Sequence, residues 1–582
     1  MKLLPISLVL VIVFASSAVS TMPACSQQTN GPRPNPQLSE CSTVASNLQL
    51  YIKVWGFLKY HHPAATTGRI PWDEEFFRVL PAVIDAEFEL GAQSTIMNWI
   101  DGLGEVPNCT KCSDSPDDAV LPARTDWIDG GFLEPGLKQR LSRIHKMREV
   151  ESGSHFVASD VGVYAATFVN ELPYEAGASH RLEYRLLAIA RFWNMVEYWY
   201  PYRDLIPSNW DGVLRKYLEK AARVRTTAEY NRMLTALATE LGDSHAKWRV
   251  TEGIPFTGQC IAPWPLRFIE NSLVVWEHAA TSTPVNQVLQ IADIIVGIDG
   301  APVDDILQES SEFLPASNRG SRLRDLARSV TRGECSTIAL DILRNGEQRS
   351  VEVSRIRLQD VDVKRFRHDR YGDAFQQLLP SVSYLKISEA LVDDIPSYLE
   401  AIGESAFVID LRGYPKESLA RSLGQHLVQK ASVFAKFSVP DFGTPCAFVW
   451  GPDQAIHPKE PFLSTNVYLL VDETTQSAAG FIGMAFQAQD AVVTIGSSTA
   501  GADGDFVGIL LPGGVHGGFS GVGIYYPDRQ QTQQVGLKVD LQVTPTIEGI
   551  RAKRDELLEA ALREIVAGRL SEDEIQGVAR RQ

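Results

Sequence analysis

Residues 466–481 read NVYLLVDETTQSAAGF, and this stretch indicates the fold class. The apolar run at 466–471 is typical of a buried strand, and the small residues after Ser477 suit the first turn of a helix. A serine at such a junction can act as a nucleophile, because the free N–H groups of a helix N-terminus stabilise an oxyanion. A helix-capping serine fits the same position, so position alone leaves both interpretations open.

Two further strands accompany this segment along the chain. Residues 406–412 (AFVIDLR) form an apolar run that ends in charge before Gly413, and residues 491–495 (AVVTI) lead into a glycine-rich loop. Strands alternate with helical segments over residues 380–550, which is typical of α/β folds. We therefore predict an α/β core in this region.

Short β-type runs separated by turn residues follow residue 250. They read PLRFI at 265–269, SLVVW at 272–276 and DIIVGIDG at 293–300. The last run ends in Asp299-Gly300, which is a hairpin signal. Residues 293–303 resemble the hairpin of a PDZ domain, which binds an extended peptide by adding it as a strand to a sheet edge. An unrelated small β-domain is the alternative.

The N-terminal part contains an internal repeat. Residues 52–73 (IKVWGFLKYHHPAATTGRIPWD) align without a gap with residues 190–211 (ARFWNMVEYWYPYRDLIPSNWD). The identical pairs are Trp55 and Trp193, Tyr60 and Tyr198, Pro63 and Pro201, Trp72 and Trp210, and Asp73 and Asp211. Apolar residues recur at helical spacing in the second copy. We predict two helical units whose shared aromatic residues lie in the core.

The two copies differ at their ends, where chemistry can be added to a conserved scaffold. The second copy ends in LGDSH at 241–245, whereas the first ends in LGEVP at 103–107. Packing does not require Ser244 and His245, because the first copy lacks both. His245 is therefore a candidate catalytic residue as well as an ordinary loop histidine.

Five segments, taken in order, resemble the tail-specific proteases, the family of C-terminal processing peptidases and the tricorn core. They are LGDSH at 241–245, the PDZ-like hairpin at 293–303, DLRG at 410–413, TQSAA at 475–479 and IGxxTAG at 495–501. The resemblance covers residues 240–550. It implies serine peptidase chemistry and a PDZ domain inserted ahead of the protease core.

The resemblance also implies roles for single residues. One branch of the family pairs its serine with a lysine, but Ala502 stands at that position here. The tricorn-like branch uses a Ser-His dipeptide, which makes Ser477 the nucleophile, His245 its base and Ser244 a helper. A serine hydroxyl needs such a base, because it is a weak nucleophile until an imidazole takes its proton. His516, in a glycine-rich loop, is the rival base.

The remaining implied residues include departures from the family pattern. The backbone N–H groups of Ala478 and Gly413 are the candidate oxyanion donors. The family often has a glutamate three residues after the serine, where this chain has Gly480, and a glycine pair where it has 414–417 (YPKE). The assisting glutamate of the tricorn-like branch is replaced by Gln533, which can orient a hydroxyl but supplies no charge.

Composition restricts the partners. The chain has 71 acidic and 55 basic residues, a formal net charge of −16, which argues against nucleic acid as the main partner. Residues 1–20 resemble a signal peptide, so we expect export to the periplasm or the extracellular space. Cys25 suggests, as an alternative, a lipoprotein anchored in the membrane.

Cysteine usage is compatible with export. Cys109 and Cys112 lie in a polar loop and predict a small disulfide rather than a zinc site, because two further ligands are missing. The other cysteines are widely spaced, and the sequence does not pair them. We expect no metal and no cofactor.

These features predict a multidomain α+β chain. The predicted segments are a signal peptide (1–20), a linker (21–45), helical unit copy one (46–130), a connecting segment (131–180), copy two (181–250), a PDZ-like domain (251–355), a serine protease core (356–550) and a C-terminal helix (551–582).

The predicted function is that of an exported serine endopeptidase that cleaves peptides or unfolded proteins through Ser477 and His245. A catalytically weak or inactive homologue that captures peptides is the first alternative. A non-proteolytic hydrolase, such as an esterase, is the second.

Overall fold

The computed structural model describes most of the chain. The described residues are 42–107, 116–147, 153–159, 164–281, 285, 288–489 and 491–581. The predicted signal peptide, most of the predicted linker, Cys25 and the Cys109–Cys112 pair lie outside them. Among the described helices, none has the length and apolarity needed to cross a membrane.

Helices dominate the N-terminal part. The first group consists of α1 (Ser42–His61), α2 (Pro63–Thr66), α3 (Trp72–Ile84), α4 (Glu89–Gly102), α5 (Asp126–Asp129) and α6 (Pro135–Lys146). A small antiparallel sheet follows, with β1 (Gly153–Ser154), β2 (Val157–Ser159) and β3 (Ala166–Phe168). The second group consists of α7 (Leu182–Trp199), α8 (Trp210–Arg223) and α9 (Thr227–Thr239).

The same tryptophan pairing occurs in both helical groups. Trp55 and Trp72 each donate the indole N–H to the other's backbone carbonyl, at 3.3 Å. Trp193 and Trp210 do the same, at 2.8 and 3.2 Å. A buried indole N–H needs an acceptor, so the pairing allows both rings to lie in the core. The predicted burial of these aromatic residues is confirmed.

A β-domain follows a short strand, β4 (Lys247–Trp248). Its elements are β5 (Cys260–Ile261), β6 (Leu266–Ile269), β7 (Ser272–Val275), β8 (Ile294–Ile298), β9 (Ala301–Pro302), α10 (Val303–Ser310), α11 (Arg319–Ser329), β10 (Thr337–Arg344), β11 (Glu347–Ser354) and β12 (Ile356–Arg357). The main sheet is antiparallel, in the order β11-β10-β8-β7-β6, with β9 beside β8. The β-type segments predicted from the sequence form β6, β7 and β8. A disulfide that the sequence did not assign joins Cys260 to Cys335.

The C-terminal core is an α/β structure, as predicted. Its elements are β13 (Phe375–Leu379), β14 (Val382–Lys386), α12 (Ile395–Ile402), β15 (Ala406–Asp410), α13 (Leu419–Ser422), β16 (Ser432–Pro440), β17 (Phe448–Trp450), β18 (Gln454–Ile456), β19 (Val467–Val471), α14 (Ala478–Phe486), β20 (Val492–Gly496), β21 (Phe506–Leu511), β22 (Val515–Ser520), β23 (Gly523–Tyr525), β24 (Leu541–Gln542), α15 (Ile547–Arg551), α16 (Glu556–Val566) and α17 (Glu572–Ala579).

The central sheet of this core has the order β13-β14-β15-β19-β20-β24. Strands β14, β15, β19, β20 and β24 are parallel, whereas β13 is antiparallel to β14. The loops after β15, β19 and β20 therefore leave the sheet at one edge, where α/β proteins place their ligands. A separate sheet, β21-β22-β4, connects the core to the segment that follows α9.

The predicted single C-terminal helix at 551–582 is wrong in detail. The region holds the end of α15 and two further helices, α16 and α17. Helix α16 stops because Ala567 takes a left-handed backbone conformation, and Gly568 follows it with a φ of 80°. Such a left-handed end is a common way for a helix to stop.

Candidate active site

A cavity of about 920 Å³ lies where the three parts of the chain meet. We call it the junction cavity. Ser244 and His245 line it from the segment after α9, α11 lines it from the β-domain, and Gly413 and Ser477 line it from the core. Four of the six predicted site residues therefore surround one space.

Ser477 has an unusual backbone conformation between β19 and α14. Its φ is 55° and its ψ is −121°, a region that residues with a side chain rarely adopt. Such a conformation costs on the order of 1–3 kcal/mol and is found most often at functional sites. Ser477 makes no capping hydrogen bond with its side chain, so the helix-capping interpretation is wrong. A sharp strand-to-helix turn of this kind presents the nucleophile in many hydrolases.

Neighbouring loops hold this conformation. The N–H of Ser477 donates to the carbonyl of Ala502 at 2.8 Å, which connects it to the loop after β20. The hydroxyl of Thr475 donates, at 3.0 Å, to the carbonyl of residue 411, just after β15. Three loops at the same sheet edge therefore fix the serine.

The backbone N–H groups of Gly413 and Ala478, both at this edge, are candidates for an oxyanion site. Within the described residues, neither Gly413 nor Ala478 donates its N–H to a backbone acceptor. A Cβ at Gly413 would lie 2.5 Å from Asp369 Oδ2 and 2.7 Å from the Cβ of Ser388. Only glycine fits there, because a side chain would collide with Asp369 and Ser388.

His245 is buried and is oriented through a serine. Its Nδ1 lies 2.9 Å from the hydroxyl of Ser520, and that hydroxyl donates to Asp243 Oδ1 at 3.1 Å. A serine has one hydroxyl proton, so Ser520 then accepts the Nδ1–H of His245. Nε2 is consequently the unprotonated nitrogen of a ring that lines the junction cavity.

Asp243 also fixes the backbone around the imidazole. Its Oδ1 accepts the N–H of His245 at 2.9 Å, and its Oδ2 accepts the N–H of Ser520 at 2.9 Å. Asp243 and Ser520 are both fully buried. One carboxylate therefore connects the segment after α9 to β22.

The charge state of His245 suits a base. Burial is the main influence and lowers the pKa of its imidazole, Asp243 raises that pKa, and Lys247 and Arg324 lower it. The net direction is downward from the ordinary value of about 6.5. The imidazole is therefore neutral at neutral pH and able to accept a proton.

Ser477 and His245 line the same cavity without a hydrogen bond between them among the described contacts. In free enzymes, the nucleophile and its base are often too far apart for a good hydrogen bond, and they approach when substrate binds. The arrangement is therefore compatible with general-base chemistry.

Ser244 and Gln533, which the sequence places as helpers of the catalytic pair, both contact Ser317 of the β-domain instead. Ser244 and Ser317 exchange two hydrogen bonds of 2.9 Å, each from a backbone N–H to the other's hydroxyl. Gln533 reaches the hydroxyl of Ser317 at 3.5 Å, and its buried Oε1 has no hydrogen-bond partner in the described part of the chain. The described contacts thus connect Ser244 to the β-domain, with Gln533 behind that connection.

Two residues that orient His245 were not predicted from the sequence. They are Asp243 and Ser520, and the only signal was that Asp243 lies inside the LGDSH segment. Asp503 is also buried, its Oδ2 lies 3.6 Å from the position of a Cβ at Gly480, and burial raises its pKa to about 7. A carboxyl group thus borders the position where the family often has glutamate. His516 is exposed on β22 and does not line the junction cavity.

One cluster of the described residues has the spacing of metal ligands: His368, Asp472 and Glu473. Arg267 donates to Asp472 at 3.0 Å and to Glu473 at 2.8 Å. His368 Nδ1 lies 2.7 Å from Asp472 Oδ2. The guanidinium supplies the positive charge of this cluster, so the contacts are those of an ion-pair network between the β-domain and the loop that leads to Ser477.

No known protein-family profile matches the chain, and no curated protein matches it. Solved structures do match. A point mutant of CPAF has a TM-score of 0.50 and 14% identity, covering 64% of this chain and 94% of that chain. The photosystem II D1 C-terminal processing protease has a TM-score of 0.38 and 14% identity, covering 63% and 96%. The tricorn protease has a TM-score of 0.35 and 13% identity, covering 66% and 37%.

These neighbours are tail-specific proteases. At such identities, the likeness to the CPAF structure shows a shared fold and nothing about activity. The resemblance that the sequence suggests is therefore confirmed at the level of the fold.

The backbone of Ser477 leads to a first prediction. Ser477→Gly should be more stable than Ser477→Ala by about 1 kcal/mol, because glycine adopts a φ of 55° without steric cost, while its greater entropy in the unfolded chain offsets part of the gain. Both variants lack the hydroxyl, so their urea midpoints isolate the backbone effect. At exposed Ser464, the same two substitutions should rank in the opposite order. A glycine variant at 477 that unfolds at or below the midpoint of the alanine variant would contradict the strain.

Proposed function

We propose that this protein is an exported serine peptidase in which Ser477 attacks the scissile carbonyl and His245 takes the proton. One observation carries the proposal: a serine with a strained backbone, at the start of a helix, borders the same cavity as a buried neutral imidazole. Peptides or unfolded proteins are the substrates, since the cavity is open and about 920 Å³ in volume.

The reaction proceeds by acyl transfer. Ser477 Oγ forms a bond to the carbonyl carbon while its proton moves to Nε2 of His245, and a base of this kind contributes about 10²–10⁴ in rate. The carbonyl oxygen becomes an oxyanion and accepts hydrogen bonds from the N–H groups of Ala478 and Gly413. The C–N bond then breaks, and His245 gives its proton to the leaving amine. Water next attacks the carbonyl carbon of the acyl-enzyme and gives a proton to His245. The bond to Ser477 Oγ breaks, and His245 returns that proton to Ser477.

In this scheme, Asp243 and Ser520 are positioning residues. Ser520 holds Nδ1, and the charge of Asp243 stabilises the imidazolium that forms during the reaction. Triads place the carboxylate directly on the histidine; here a serine hydroxyl lies between the two groups. The buried carboxylate is near enough to raise the pKa of His245.

The β-domain is the proposed substrate-binding module. Its antiparallel sheet and two helices are compatible with a PDZ-like domain that adds a peptide to a sheet edge. Contacts from Arg267 and Ser317 connect this domain to both sides of the junction cavity. A peptide held by the β-domain would thus lie near Ser477.

A peptide-binding protein without catalytic activity is the second candidate. Gln533 favours it, because the charge of the family glutamate is missing and the Oε1 of this glutamine is buried without a partner in the described structure. The two candidates share a binding site and differ only in turnover.

Turnover by matched variants distinguishes the candidates. Ser477→Ala and His245→Ala should each lower kcat on an unfolded protein by roughly 10³–10⁶, because residues that act as a unit each remove nearly the whole effect. Ser464→Ala, at an exposed serine outside the cavity, is the control and should retain full activity. A wild-type protein that binds but never cleaves peptides would favour the second candidate, and cleavage of esters alone would favour an esterase.

The pH profile tests the base. Activity requires neutral His245, so kcat/KM should fall as the pH drops, with a midpoint below the ordinary imidazole value of about 6.5. Asp243→Asn removes a charge that raises this pKa and should move the midpoint to still lower pH. Ser520→Ala keeps that charge and should lower mainly the plateau. A midpoint that rises in Asp243→Asn would contradict the assignment.

A further inference from the structure

Two basic side chains leave the same face of one strand at the junction cavity. Lys247 and Arg249 are exposed and lie on either side of buried Trp248, just after His245. Alternate residues of a strand point to one face, and pairing with β22 continues through the N–H of Arg249, which donates to the carbonyl of residue 516. Both side chains line the cavity, and in the described structure neither forms an ion pair.

A third basic side chain lies on the wall formed by the β-domain. Arg328, in α11, also lines the cavity and has no carboxylate partner among the described residues. Its side chain is exposed, yet its pKa is lowered, mainly by burial and then by the neighbouring Arg324. The exposure of the side chain and the effect of burial on its pKa are compatible if Arg328 is surrounded by protein and is open only to the cavity. The guanidinium is thus enclosed without a direct ion pair in the described structure, although Asp325, Asp472 and Glu473 act on it from a distance and raise its pKa.

The other arginines of the cavity are mostly neutralised. Arg324 pairs with Asp325 at 2.8 Å, and Arg367 pairs with Glu389 at 2.6 Å. Arg412 is held between two buried aspartates. Arg332 is not paired with a carboxylate but donates to the carbonyl of residue 258 at 2.8 Å. These four arginines are held by partners within the protein. Lys247, Arg249 and Arg328 are therefore the basic side chains that remain available to a ligand.

Negative charge is scarce in this space. Of the acidic residues that line the cavity, Asp325 is paired, and Asp505 is the exposed carboxylate without an ion pair among the described contacts. The whole chain has a formal net charge of −16, so an excess of positive charge here is contrary to its average composition. Like charges grouped in a cleft raise the local concentration of ligands of opposite sign.

Exposed aromatic rings complete the lining. Tyr414 is 62% exposed and Phe506 is 42% exposed, and both border the cavity. Aromatic rings beside basic groups suit a polypeptide that carries both apolar and acidic side chains.

We propose that the junction cavity selects peptide segments with aspartate or glutamate close to the scissile bond, through Lys247, Arg249 and Arg328. This inference rests on the proposed function, because a scissile bond exists only if the bound peptide is cleaved. Binding of acidic peptides does not depend on turnover. The shared chemistry is a carboxylate, which a peptide can supply from its side chains or from its C-terminus. We assign the recognised carboxylate to the aspartate and glutamate side chains of the peptide.

Binding is measured first, with the non-cleaving variant Ser477→Ala. Fluorescence anisotropy compares labelled peptides of equal length that carry glutamate, glutamine or lysine around one fixed apolar residue. The glutamate peptide should bind roughly fivefold to tenfold more tightly than the glutamine peptide, as expected for a few partly exposed ion pairs. The difference should shrink as salt is added. Equal affinity for the three peptides at low salt would overturn the proposal.

Variants then locate the selectivity. Lys247→Glu combined with Arg249→Glu, in the Ser477→Ala background, should reverse the order of the glutamate and lysine peptides. Lys430→Glu, at an exposed lysine outside the cavity, is the matched control and should change nothing. If the double reversal does not fold, Lys247→Gln with Arg249→Gln should still remove the preference. A preference that survives either change would overturn the assignment to Lys247 and Arg249.

Two further experiments distinguish side-chain from terminal carboxylates, and failure of the acidic selectivity from failure of the proposed peptidase activity. Amidation of the peptide C-terminus should leave the affinity of the glutamate peptide nearly unchanged; an equal, large loss of affinity in all three peptides would assign binding to the terminal carboxylate and overturn the proposal. Wild-type protein that cleaves all three peptides equally, with equal affinities, would refute acidic selection while leaving the peptidase intact. Tight binding of the glutamate peptide without any cleavage would support the selectivity and refute the proposed function.

Discussion

Asp243 is fully buried, and its carboxylate accepts hydrogen bonds from both the backbone N–H and the hydroxyl of Ser520 and from the backbone N–H of His245. These bonds join the segment after α9 to β22 and set the tautomer of the imidazole. A buried carboxylate is costly unless it is well hydrogen-bonded, so the two strands of chain cannot separate easily. The equivalent residue of the first helical copy, Glu105, is exposed. The two copies therefore differ in burial at this position, and among the described contacts only the second uses the carboxylate to join two segments.

The site depends on three parts of the chain that are far apart in sequence. The helical region supplies His245, the core supplies Ser477 and Gly413, and the β-domain closes the remaining wall through α11. Two polar connections keep the parts in register: the exchange between Ser244 and Ser317, and the contacts of Arg267 with the loop before Ser477. The geometry of the candidate site and the arrangement of the three parts are thus maintained by the same contacts.

The sequence predicted the features that have local signals. The strand-to-helix turn at Ser477 follows from an apolar run next to small residues, and the burial of Trp55 and Trp193 follows from helical spacing. The LGDSH segment identified His245, because the first copy lacks its equivalent. Each of these inferences used residues within one short segment, or a comparison of that segment with its repeat.

The features that were missed depend on contacts between distant segments. Ser520 lies on β22 in a stretch without a motif, and only the pairing of β22 with β4 brings it to His245. Ser244 contacts Ser317 because the β-domain folds against that loop, which no spacing in the sequence reveals. The single C-terminal helix was wrong because Ala567 takes a left-handed conformation that is unusual for alanine.

The pairing of Ser477 with His245 is tested most directly by covalent labelling of the native protein with a fluorophosphonate, which reacts only with an activated serine. We predict one adduct, located on Ser477 by mass spectrometry of the digested protein, with labelling strongly slowed in His245→Ala. Labelling of a different serine, or labelling of Ser477 at the same rate without His245, would contradict it.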